Sequence, residues 1–187
     1  MSDEKLLVVV DVESDGPCPP IYSMVSFGAV VVEPGLDRTF YGKTKPLSDT
    51  TKYDPEALSI SGTTREQHLS YDHPADVMAK FADWTQSLGA KRLTLVSDNP
   101  AFDAPWINYY FHRFHGLGSN PFGYSARRIG DIWAGMTGKF QDTTSWKSLR
   151  KTPHSHNPVD DARGNAEALL IIMERMKQRL EPGPWET

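Results

Sequence analysis

The sequence predicts an α/β domain built on a mixed sheet, and three observations carry that prediction. An aliphatic run near the start, Leu6 to Val12, does not alternate between apolar and polar residues; two further strand candidates follow it; and from Pro74 onward amphipathic helices alternate with short strands. With 187 residues the chain is near the common size of one domain, so residues 1–187 are expected to form a single unit with its core at about 6–180.

Each element has its own signal. Leu6–Val12 is β-branched, bounded by charge on one side and by Ser-Asp-Gly-Pro on the other, which suits a strand buried on both faces and central to the sheet. Met24–Glu33 and Arg38–Lys43 are joined across Glu-Pro-Gly-Leu-Asp and read as an antiparallel hairpin. Residues 44–73 show no sustained period, with one short helical turn at Pro55–Leu58. From Pro74 the apolar positions Val77, Met78, Phe81, Trp84, Thr85 and Leu88 recur at helical spacing up to Gly89, a C-terminal stop. Leu93–Val96 is a short fourth strand, and Asn99-Pro100 opens a helix whose stripe Trp106, Ile107, Tyr110, Phe111, Phe114 runs to Gly116. Arg127–Ile129 is a candidate fifth strand followed by a short helix from Asp131; Asn157-Pro158 opens a last helix that runs to about Leu180, and Glu181–Thr187 reads as a frayed tail.

Composition narrows the function classes. Lys+Arg 20 against Asp+Glu 24 gives a net charge of −4, too mild for a disordered acidic tail or a histone-like polycation. Cys18 is the single cysteine, which excludes an internal disulfide framework and a cysteine-rich zinc module and fits a reducing compartment. The acidic start is unlike a signal peptide, and the aliphatic runs fall far short of the ~20 residues of a membrane span, so a cytoplasmic protein without membrane contact is expected.

Four carboxylates and a histidine stand out. Asp11 and Glu13 lie two apart on the first strand and therefore share a face near its C-terminal end. Such a pair marks either a strand's exit into solvent or a place where a partner or metal compensates the charge. Asp103 lies on the stripe of Ile107, Tyr110, Phe111 and Phe114 and points toward the core side of its helix. Asp161, four residues before Asn165, runs along the edge of the last helix's apolar stripe. Both helices begin with Asn-Pro, and both aspartates come four residues after that Asn, one turn inside a helix N-terminus where the dipole favours an ionised carboxylate. Asp160 sits where a capping-box side chain would serve the helix end. Clustered carboxylates suit hard divalent cations, and His156, just before the last helix, would be a natural general base beside them.

Asp11-x-Glu13 ending a first strand, Asn99-x-x-Phe102-Asp103 opening a helix after a fourth strand, and His156-x-x-x-x-Asp161 opening the last helix together resemble the DEDDh 3'-5' exonucleases, the superfamily of RNase T, oligoribonuclease and polymerase proofreading subunits. The register of four residues between His and Asp selects His156 over His154. The resemblance covers residues 6 to about 175. It departs where Glu13 is followed by Ser14-Asp15-Gly16 in place of the common Thr-Thr or Thr-Gly, and where Asp98 precedes Asn99 in place of His.

The resemblance implies an RNase H-like fold: a five-stranded mixed sheet in the order 3-2-1-4-5, strands 1–3 antiparallel, with helices on both faces. It also implies a 3'-5' exonuclease that releases nucleoside 5'-monophosphates from the 3' end of single-stranded RNA or DNA. Two divalent cations, Mg²⁺ or Mn²⁺, would be held by Asp11, Glu13, Asp103 and Asp161, with Asp11 bridging them, Glu13 and Asp103 completing one site or orienting water, and His156 as the base. Ser14, Ile60, Asn99 and Phe102 fall at positions that would touch the nucleic acid, Ile60 against the terminal bases; Ile60 is equally well placed as a plain loop anchor. Between His112 and His156 seven basic residues face two acidic ones, a segment suited either to phosphate contacts or to a solvated face, and Phe140 and Trp146 within it are candidates for base stacking or for the core. A catalytically inactive RNase H-like nucleic-acid-binding module is the alternative, and a homodimer is left open.

Overall fold

The computed structural model describes residues 5–50, 52–116 and 118–180, so the first four residues and the predicted tail at 181–187 lie outside the described residues. Five strands form one sheet in the order β3-β2-β1-β4-β5: β1 Lys5–Ser14, β2 Met24–Val31, β3 Thr39–Lys43, β4 Arg92–Ser97 and β5 Arg127–Arg128. β2 pairs antiparallel with β1 and β3, while β4 runs parallel to β1 and β5, which is the topology the resemblance implies. The helices are α1 Pro55–Ile60, α2 Arg65–Ser70, α3 Pro74–Ser87, α4 Pro100–His115, α5 Ile129–Thr137 and α6 Pro158–Leu180, with a 3-10 turn at Ser145–Leu149.

The unalternating first strand is explained by two cores. Leu6, Val8, Val10 and Val12 pack with Phe81, Trp106, Ile107, Tyr110 and Phe111 of α3 and α4. Leu7 and Val9 pack from the other face with Ile129, Trp146, Ala166 and Leu169. Strand parity then places Asp11 and Glu13 on the α6 face.

The sequence expectations differ from the structure where elements are short. α2 lies inside the stretch without a period: a six-residue helix is less than two turns, and its signal is the capping box of Thr64 and Gln67. β2 ends at Val31, short of the expected Glu33, and α5 starts at Ile129, ahead of the expected Asp131. No described helix is long and apolar enough to cross a membrane.

Candidate active site

The site forms where the C-terminal end of β1 meets the first turn of α6. Asp11 pairs with Gly28 of β2, and a side chain at Gly28 would stand 2.3 Å from the Pro158 carbonyl oxygen and 2.5 Å from Val159 N. The absence of a Cβ there lets the start of α6 rest directly on the sheet, which carries the buried Asp161 to the β1 carboxylates. Ligand oxygens of Asp11, Glu13 and Asp161 lie within 4.8 Å of one another. Asp103 is outside that close group among the described residues, but it is stitched to the same strand: its Oδ1 accepts from Val12 N at 3.0 Å, and its Oδ2 accepts from the Ser97 hydroxyl.

Asp161 organises the loop in front of it. Oδ1 accepts from Arg150 Nη2 at 2.9 Å and from Ser155 N at 3.0 Å, and Oδ2 accepts from His156 N at 2.9 Å. His156 adopts a left-handed backbone with φ 59°, an uncommon state for a residue with a Cβ, and the two backbone bonds to Asp161 fix it there. The half-exposed imidazole turns its Nδ1 to within 3.6 Å of Glu13 Oε1. His154 joins it, with Nδ1 2.9 Å from Asp161 Oδ2 and ring centroids 4.3 Å apart. A carboxylate has about four acceptor positions; in Asp161 three are used by hydrogen bonds and the remaining one faces His154.

The electrostatics are those of a crowded anionic site. Burial, then the neighbouring Asp103, Glu13 and Asp161 charges, holds Asp11 well above the carboxylate range, with Arg150 opposing. Burial and the charges of Asp161 and Asp103 push Glu13 up to about 8, and burial pushes Asp103 up to about 7 against the bonds from Ser97 and Val12. The Asp11 backbone is paired in the sheet, but its carboxylate receives no hydrogen bond from any described residue. These carboxyls are short of positive charge, and oxygen donors this close together fit hard divalent cations.

Of the residues expected to touch nucleic acid, Ser14, Ile60 and Phe102 line one cavity of about 340 Å³ together with Glu13 and Gly16. Ile60 is 52% exposed there, which makes it a cavity wall and not a core anchor. Ser14 is buried, its hydroxyl donating to the Gly16 carbonyl at 2.6 Å. Asn99 is exposed and precedes α4, but its side chain makes no capping bond; its backbone N–H donates to Ser97 Oγ instead. Asn157 does cap α6, its Oδ1 accepting from Val159 N at 3.1 Å and Asp160 N at 3.4 Å, and its own N–H goes to Ser155 Oγ in place of the expected Asp160 carboxylate. Trp146 is fully buried, so it belongs to the core and stacks on no base, whereas Phe140 is exposed.

Three site residues escaped the sequence reading. Arg150, counted only among the basic residues, is the cation on Asp161; it fits because Gly164 has no side chain, where a Cβ would meet Arg150 Nε at 2.5 Å. Ser97 carries no spacing signal. His154 was set aside on register, and its alternation with His156 was the available clue.

Comparisons with known proteins agree with this fold. The family model of the 3'-5' exoribonuclease Rv2179c-like domain matches residues 7–173. The 3'-5' DNA exonuclease Cap18 of Escherichia coli is 35% identical over 185 residues, covering 91% of this chain and 93% of Cap18. Among solved structures, the nuclease domain of 3'hExo, a DEDDh family member bound to rAMP, superposes with a TM-score of 0.71 at 18% identity over 90% of this chain and 92% of that one. E. coli exonuclease I in complex with a dA16 oligonucleotide superposes with a TM-score of 0.67 at 15% identity, over 94% of this chain and 42% of that one. The family model that matches nearly the whole chain and the relative that matches it end to end lead to one conclusion: this chain belongs to the family of Rv2179c-like 3'-5' exoribonuclease domains.

Proposed function

We propose that the chain hydrolyses single-stranded RNA or DNA from its 3' end, releasing nucleoside 5'-monophosphates, with two divalent cations, Mg²⁺ or Mn²⁺, and with His156 as general base. The observation that carries this reading is the meeting of Asp11, Glu13 and Asp161 within 4.8 Å, with His156 turned onto Glu13. Asp11 and Glu13 would hold the cations together with Asp103 and with Asp161, whose fourth acceptor position His154 would have to yield. Bound there, the pair supplies charge neutralisation for the attacking and leaving oxygens of an in-line displacement.

The protein's own groups do the rest. The Ile60, Phe102 and Ser14 cavity beside Glu13 seats the terminal nucleoside and so presents its 5'-phosphate to the carboxylates. With Nδ1 of His156 facing Glu13, Nε2 takes the proton of the attacking water, and the Glu13 charge favours the imidazolium that forms. The water oxygen bonds to phosphorus as the P–O3' bond breaks, and the 3'-oxygen of the shortened strand takes a proton from solvent to leave as a 3'-hydroxyl, while the imidazolium returns its proton to solvent.

The test is hydrolysis of 5'-labelled single-stranded RNA and DNA with Mg²⁺, Mn²⁺ or EDTA, beside an Asp11→Ala control. A metal-dependent ladder shrinking from the 3' end, absent in the control, is expected, and its rates on the two polymers read the sugar preference. His156→Asn is expected nearly to abolish turnover while cation binding persists. Metal binding with no cleavage of either polymer would replace the enzyme by a catalytically inactive binding module.

A further inference from the structure

A second cavity, of about 480 Å³, shares no lining residue with the Ile60 cavity and meets the carboxylates at Asp11 instead of Glu13. Lys147, Arg150 and Lys151 line it, from the 3-10 turn and the segment after it, together with Asp98 and His154. Two of the three cations are held in place: Lys147 Nζ lies 2.6 Å from Asp98 Oδ2, and Arg150 is seated on Asp161 at 2.9 Å. Asp98 is the residue that departs from the family's histidine, and its carboxylate anchors a lysine beside the catalytic carboxylates. The cavity wall also holds Asn165 of α6, 2% exposed, whose Oδ1 has no hydrogen-bond partner. The buried Nε of Arg150 in the same wall is likewise without a partner among the described residues, and an unpaired cationic donor marks a place completed by an anionic acceptor.

We propose that this cavity seats the phosphodiester immediately 5' of the one being cut, with Lys147 and Lys151 as its positioning residues. The inference rests on the exonuclease reading. With the terminal nucleoside in the apolar cavity at Glu13 and the scissile phosphate at the carboxylates, the strand continues past Asp11. The first anionic group it carries there is its next phosphodiester. Arg150, committed to Asp161, adds positive charge to the floor, and the two lysines supply the donors.

The experiment compares an oligonucleotide of ordinary phosphodiesters with one in which only the second linkage from the 3' end is a neutral methylphosphonate. Removal of the first nucleotide by the wild type is expected to slow by about tenfold, the scale of one charge-assisted contact. In Lys147→Gln/Lys151→Gln, with folding checked by its melting temperature, the ratio of the two rates is expected to approach one, with the defect on the parent strand lying in KM. Should the double variant fail to fold, the half-loss of discrimination in Lys151→Gln serves the same purpose. A wild type indifferent to the methylphosphonate, or a folded variant that keeps its full discrimination, overturns the proposal. Failure of the wild type to cut the parent strand would instead overturn the exonuclease reading itself.

Discussion

Asp11 on β1 and Asp15 just beyond its end stand four residues apart, and their surroundings are opposite. The Asp11 carboxylate faces Glu13 and Asp161, receives no hydrogen bond from a described residue, and is held well above the carboxylate range by burial and by like charges. Asp15 lies beyond an irregularity in the β1–β2 register at Glu13/Ser14 and is fully buried. There it accepts from Ser23 N and, at 3.0 Å, from Arg65, while His68 stands 3.6 Å away. Burial pushes Asp15 up, and the bonds from Ser23 and Arg65 draw it back. Burial pushes His68 down to about 4, so it is neutral at physiological pH and the counter-charge of Asp15 is Arg65. The backbone of Asp15 also accepts from Asp54, the N-cap of α1, and α1 carries Ile60. A carboxylate supplied with protein donors thus holds a wall of the site together, and one without them is left short of positive charge.

The sharpest break of this contrast is a pair of substitutions. Asp11→Asn is expected to lower the cleavage rate by roughly three orders of magnitude, the scale of several kcal/mol of lost transition-state stabilisation. Its metal-free melting temperature should be equal or higher, because a repulsive charge is gone. Asp15→Asn should do the reverse, costing about 3 kcal/mol for a broken buried pair, or roughly 6–12 °C, while the folded fraction still cuts. Rate assays and thermal melts on both variants decide it. An Asp15→Asn protein of full stability and no activity, or an unfolded Asp11→Asn, would dissolve the distinction.

Cation binding separates the two regions with a smaller effect. Mg²⁺ or Mn²⁺ at a hundredfold excess over its dissociation constant is expected to stabilise the wild type and Asp15→Asn by about 2.7 kcal/mol, and Asp11→Asn far less. Differential scanning fluorimetry with and without EDTA measures it.

The smallest effect is on pH. Glu13 at about 8 and Asp103 at about 7 bind protons more tightly in the folded chain than in the unfolded one. Their stabilising contribution is complete below the ordinary carboxylate range and is lost as pH rises from there through the folded values. The melting temperature of metal-free Glu13→Gln, measured against wild type, should therefore gain a few degrees between about pH 5 and 8, and saturating Mg²⁺ should flatten the wild-type profile. No such gain would show that Glu13 carries no repulsive burden.

Much of the site was legible in the chain because periodicity reports direction. Asp103 on an aromatic stripe could only face inward, and Asp11 and Glu13, two apart, could only share a face. Trp146 was not legible: in a 3-10 turn too short for a period, nothing separates a stacking aromatic from a core one, and the second core claims it. His154 was rejected by a spacing rule that describes one helix start, yet a loop reversed at His156 returns it to Asp161.

The sequence by itself determined the strand order's central element, the helix starts and the residue types of the site, since these follow from local composition and spacing. Only the tertiary structure decided which acids are supplied with protein donors and which are left short of positive charge. Gly28 and Gly164 made room for α6 and for Arg150, the register irregularity carried Asp15 to Arg65, and each of these pairings joins residues distant in the chain. Short-range patterns can say which way a side chain points along its own element; charge compensation depends on what stands across the gap, and that is settled by packing.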